Sequence, residues 1–114
     1  MITLPGVDPK MIANNLTPSH PTHPGEILKD EIEYRGLSQK KLAEQVGMSP
    51  TLLNEILNAK RALTTEYALL FEAALNIDAE PLLKMQARYN MFKAKSNKTF
   101  LERLARVREL AAAL

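Results

Sequence analysis

The chain of 114 residues contains no cysteine. Without thiols there is neither a disulfide framework nor a thiolate nucleophile. Aromatic residues make up only 5% of the chain, too few for a platform on which the bases of a single strand would stack. No apolar run approaches the ~18 residues of a membrane span, so no membrane contact is expected. The N-terminus shows no basic region followed by an apolar stretch, so no secretory signal and a cytoplasmic home are expected. The two histidines, His20 and His23, lie three apart with Pro21 between them and no second pair of ligands after them. A metal site is therefore not expected. No glycine-rich phosphate loop is present either, so the reading is of a protein that is not an enzyme, with no catalytic residues and no cofactor.

What is present is uneven charge. The net charge is only +2, yet residues 92–114 hold six basic and two acidic side chains, against eight and ten in residues 24–91. The acidic excess falls at Glu26, Asp30, Glu31 and Glu33, whereas Lys40, Lys41, Lys60 and Arg61 bracket the central stretch. Local patches of this kind, not the whole-chain sum, govern attraction to phosphate.

That central stretch, from Leu37 to Asn58, reads as two short helices joined at Gly47. Ser38 can cap the first through its side-chain oxygen, with Leu37 and Leu42 at staple spacing. Ser49 can cap the second, with Pro50 at the first helical position, where a missing N–H costs nothing. Met48 and Leu53 repeat the staple. Gly47 suits a sharp turn with positive φ, and Ala43 lets the two helices approach closely. Leu42, Ala43, Val46, Met48, Leu53 and Ile56 fall on the faces that two crossing helices share. Ser49, Pro50, Thr51, Asn54, Glu55 and Asn58 are left on the outer face of the second helix, short and mostly polar, as base edges in a major groove require. An ordinary helical hairpin with a solvated face would show part of this pattern. The full order of signals is that of a DNA-reading helix-turn-helix.

Around this pair the chain divides into an extended or disordered arm over 1–22, a helical domain over 23–92, and a basic joint with a further helix over 93–114. Pro5, Pro9, Pro18, Pro21 and Pro24 are five of the seven prolines, which suits an extended arm with at most one turn of helix at Met11–Leu16. A first helix opens at Pro24, carries Ile27, Leu28, Ile32 and Tyr34 inward, and stops near Gly36. Thr64 caps a fourth, with Ala68, Leu69, Phe71, Ala74 and Leu75 as its buried stripe, ending at Asn76. Asp78 to Pro81 starts a fifth, bearing Leu82, Leu83, Met85, Tyr89 and Met91 or Phe92. Residues 93–98 read as a joint, and Thr99 with Glu102 fits a capping box opening a sixth helix. That helix places Phe100, Leu104, Val107 and Ala111 on one stripe. The expected class is all-α.

Residues 23–91 resemble HigA-type antitoxins, a branch of the phage-repressor-like (Cro-like, XRE) helix-turn-helix superfamily. The matching stretches are His23-Pro24-Gly25-Glu26-Ile27-Leu28, Leu37-Ser38-Gln39 through Gly47, Asn58-Ala59-Lys60-Arg61, and Leu82 through Tyr89. The sequence departs from that family's usual tryptophan at Leu82 and usual glycine at Ala59. The resemblance implies a five-helix domain that dimerises, binds a palindromic operator on double-stranded DNA, and neutralises a RelE-like ribonuclease toxin. It further implies that Gln39 and Lys40 lie at the phosphate backbone and that Ser49, Pro50, Thr51 and Asn54 face bases. Glu55 and Asn58 lie alongside, and Lys60 and Arg61 meet phosphates. The expected dimer seam is helix five, through Leu82, Leu83, Met85 and Tyr89. A stand-alone transcription regulator without a toxin fits the same residues.

Overall fold

The computed structural model describes residues 21–114. Among them lie six helices and no strand: α1 (Pro24–Tyr34), α2 (Gln39–Val46), α3 (Pro50–Leu57), α4 (Thr65–Leu75), α5 (Ala79–Lys95) and α6 (Lys98–Ala111). The arm over 1–20, with His20 and the turn at Met11–Leu16, falls outside the described residues.

Local chemistry sets most helix ends. Oγ of Ser38, Oγ of Ser49 and Oγ1 of Thr64 each accept from the backbone N–H three residues on, at 3.2, 3.1 and 3.2 Å. All three caps were expected. The first three helices also end alike, with the N–H two past the last turn reaching back five residues. Leu37 donates to the Ile32 carbonyl at 3.0 Å, Met48 to Ala43 at 3.0 Å and Lys60 to Glu55 at 2.8 Å. This closure requires a left-handed residue in the turn. Gly47 supplies it with φ +77°, and Ala59, where a glycine would be unstrained, still adopts φ +61°. Asn76 ends α4 in the same conformation, φ +57°.

The opening His23-Pro24-Gly25-Glu26 is a compact device. Nδ1 of His23 accepts from the Gly25 N–H at 2.9 Å, and the Glu26 carboxylate accepts from the His23 N–H at 3.0 Å. This is a capping box with histidine in the capping place, and Pro24 occupies the first turn. Gly25 has a different reason: a Cβ there would lie 1.8 Å from the Ile56 carbonyl oxygen, so only glycine lets α1 close on α3.

α1 packs on α3 and α5, α2 on α3 and α4, and α4 on α5. The core they enclose is centred on Leu28, Ile32, Leu42, Ala43, Val46, Met48, Leu53, Ile56, Phe71 and Leu75, with Leu82 from α5. At ~25 cal/mol per Å² of apolar surface removed from water, such burial is the main stabilising term. Several expectations are corrected. Tyr34 is 90% exposed and Leu69 51% exposed, because α1 and α4 each bury a narrower stripe than the spacing suggested. Ala74 is likewise exposed, and Ile27 lies partly open.

At the C-terminal end, α5 runs on to Lys95, so the joint shrinks to Ser96 and Asn97. Asn97 caps α6, its side-chain oxygen accepting from Phe100 N–H at 3.0 Å, which displaces the expected box at Thr99 and Glu102. α6 leans on α5 and buries none of its side chains. The N-terminus of α5 is closed across the fold: Asp78 makes no side-chain cap bond, and the Glu72 carboxylate accepts from the Ala79 N–H at 2.7 Å.

Candidate nucleic-acid interface

The outer face of α3 exists because its inner face is fully used. Leu53 and Ile56 are completely buried and Leu57 nearly so, against Leu42, Ala43 and Val46 of α2 and the body of α1. With the Ser49 cap fixing where the helix starts, the remaining positions face outward. Ser49, Pro50, Thr51, Asn54 and Asn58 are exposed, and Glu55 is half-buried. The helix therefore presents hydroxyl and amide groups on its exposed side, a chemistry suited to a major groove.

Gln39 stands half-buried at the first position of α2, and Lys40 is exposed beside it. Lys60 is exposed just past the left-handed Ala59, its backbone held by the bond to Glu55. These residues thus lie at the start of α2, along α3 and in the turn that leaves α3.

Two expected contacts are occupied within the chain. Arg61 is bound to the Glu55 carboxylate, with Nη2 2.9 Å from Oε1, so its guanidinium is not a free phosphate donor. An exposed pair of this kind contributes only about 0–1 kcal/mol, and an incoming phosphate can displace it. Asn58 donates to the Asn54 carbonyl at 2.8 Å and accepts from Lys29 Nζ at 3.2 Å. Lys29 thus reaches the end of α3 from α1, a neighbour that spacing along the chain does not reveal.

A further pair of residues was not anticipated as part of the site. His23 is 1% exposed; its ring meets Tyr89 of α5 edge-on at 4.8 Å between centroids, and its ring N–H donates a hydrogen bond to the backbone carbonyl of Arg61. Burial holds its pKa below the ordinary value of 6.5, with partial opposition from the Glu26 charge and that backbone bond. Gln86 is also buried: its side-chain oxygen accepts from the Leu63 N–H at 2.8 Å, and its amide donates to Asn90 at 2.8 Å. Both residues tie the turn after α3 to α5. No cluster of metal-ligating groups occurs among the described residues.

Of the expected dimer residues, Leu82 is 3% exposed and committed to the chain's own core, a correction that follows from α5 packing on α4. Tyr89 is half-buried against His23, while Leu83 and Met85 are half-buried at the edge of the core. Met85 also lines a recess with Arg88 and the last arm residues, Pro21 and Thr22.

The architecture defines a helix-turn-helix protein. A family profile described as helix-turn-helix matches residues 28–82. Virulence-associated protein I of Dichelobacter nodosus is 38% identical over 77 residues, covering 67% of this chain and 71% of that protein. Among solved structures, an addiction module antidote protein of the HigA family from Coxiella burnetii superposes with a TM-score of 0.62 at 30% identity. The match covers 73% of this chain and 94% of that one. The antitoxin HigA of Pseudomonas aeruginosa, solved with the higBA promoter, gives a TM-score of 0.62 at 27% identity over 68% of this chain and 85% of its own. The chain belongs to the helix-turn-helix family, in its HigA-type antitoxin branch.

Proposed function

We infer that this protein is a DNA-binding antitoxin that represses its own operon. The observation that carries the reading is the outward row Ser49, Thr51, Asn54 and Asn58 on a helix whose other side is wholly buried. The Pseudomonas aeruginosa relative solved with a promoter supports the same use of the fold. In this reading Asn54 pairs with a base edge, Thr51 and Pro50 meet a base or a thymine methyl, and Gln39, Lys40 and Lys60 meet phosphates. One such helix reads only a few base pairs. Two copies related by a two-fold axis, reading half-sites about one turn (~34 Å) apart, are the arrangement that gives useful specificity. In that dimer α5 forms the seam through its partly exposed Leu83 and Met85.

As an antitoxin the protein neutralises a RelE-like ribonuclease encoded beside it, a role supported by the antidote proteins it resembles. The test has two arms. The purified chain is titrated against the DNA upstream of its own reading frame, and it is co-expressed with the product of the adjoining frame. The expected result is salt-sensitive, sequence-specific binding together with co-purification and restored growth. Binding to that DNA without capture of the neighbour would make the protein a stand-alone regulator. Failure to prefer that DNA over unrelated duplex would overturn the reading of α3.

A further inference from the structure

The turn after α3 does not stand alone at the edge of the molecule. α5 is fastened to it at two points one turn apart: Gln86 bonds Leu63, and Tyr89 backs the His23 ring that bonds the Arg61 backbone. In an α-helix, residues 86, 89–90 and 93 lie on one side, and Lys93 is about 10 Å along the axis from Gln86. The face of α5 that begins in the core therefore passes the turn and ends at Lys93. There Nζ of Lys93 sits 5.9 Å from the centre of the Tyr89 ring, and its charge is felt at His23. Lys93 is exposed, and the ion pairs among the described residues are Arg35–Glu31, Arg61–Glu55 and Lys84–Glu80, so no carboxylate neutralises it. Lys60, on the turn itself, is in the same condition.

We propose that Lys93 continues the phosphate-binding edge formed by the turn at 58–63, so that the C-terminal end of α5 grips the DNA backbone beside the site that α3 reads. The inference rests on the reading of α3 as a DNA-reading helix and adds a contact from outside the helix-turn-helix. The Tyr89 ring, 5.9 Å from the ammonium, attracts it toward the side of α5 that faces the turn. Because the partner is the sugar-phosphate backbone, the contact carries no sequence preference and acts through counterion release.

The test is a salt titration of the full chain with a mixed-sequence duplex of about 30 base pairs. Wild type is compared with Lys93→Gln, Lys93→Arg, Lys60→Gln and, as a surface control already paired with Glu80, Lys84→Gln. Loss of one phosphate contact flattens the plot of log K against log salt by about 0.9. That flattening is expected for Lys93→Gln and for Lys60→Gln, with Lys93→Arg and Lys84→Gln matching wild type and all melting curves superposable. A wild-type slope for Lys93→Gln beside a flattened slope for Lys60→Gln would overturn the α5 contact alone. Wild-type slopes for both would remove the turn from the DNA and with it the basis of the proposal. A flattened slope for Lys84→Gln equal to that of Lys93→Gln would also count against it, since the effect would then be a diffuse charge effect.

Discussion

α3 and α6 are two amphipathic helices in opposite situations. α3 has only eight residues, too few to be stable alone, and it persists because Leu53, Ile56 and Leu57 are buried by its neighbours. α6 has fourteen residues and is started by its own Asn97 cap, yet it buries no side chain, and Val107 and Leu110 are 54% and 66% exposed. The difference separates support from presentation. Where the scaffold carries all of a helix's stability, the outer residues are free to be chosen for what they touch, as along Ser49 to Asn58.

The largest effect that would test this contrast is in the core. Leu53→Ala should cost about 2–5 kcal/mol and lower the thermal midpoint sharply, whereas Val107→Ala should stay within about 0.5 kcal/mol of wild type. Equal losses would mean that α6 shares the core. A smaller effect is expected at the cap that starts α6. Asn97→Ala should cost about 1 kcal/mol, read as fraying of the C-terminal helix by hydrogen exchange, with amides of α2 and α3 unaffected.

At the exit of α3, the alanine in a left-handed turn is a standing strain. Ala59→Gly relieves about 1–2 kcal/mol of steric cost and returns part of it as chain entropy, so a net gain of about 0.5–1 kcal/mol is expected in a melt. A loss on that substitution would contradict the φ of +61°.

The smallest effect is a pH dependence at the entrance of α1. Protonated His23 cannot accept from the Gly25 N–H, and burial holds its pKa below 6.5 in the folded chain. A depressed folded value means the unfolded chain takes up the proton first. The contribution is thus complete above pH 6.5 and is lost as the pH falls below it toward the folded value. Melts at pH 7.5 and pH 5.5 should differ for wild type and converge for His23→Asn, which keeps a capping oxygen without titrating in this range.

Much of this was legible beforehand for a physical reason. Ser38, Ser49 and Thr64 act on backbone three residues away, and Gly47 acts on its own φ, so short stretches of sequence contain the whole cause. The misses share the opposite property. Arg61 reaches Glu55 only because the turn at Ala59 folds the chain back, and Lys29 meets Asn58 across 29 residues of sequence. Histidine is not among the usual capping side chains, and the role of His23 depends on Tyr89 and Arg61, far along the chain. Thr99 with Glu102 matched a capping pattern, but Asn97 two residues earlier starts the helix first. Tyr34 and Leu69 fell at core spacing, and the number of neighbours available decides which apolar positions find cover.

The most direct measurement is a double-mutant cycle between Asn54 and single base pairs of the DNA upstream of the gene, titrated at one fixed salt concentration. Asn54→Ala should cost roughly 1–3 kcal/mol, and that cost should largely vanish at one base-pair substitution in each half-site. An equal loss on every duplex, or no loss at all, would show that the outward side of α3 does not read sequence.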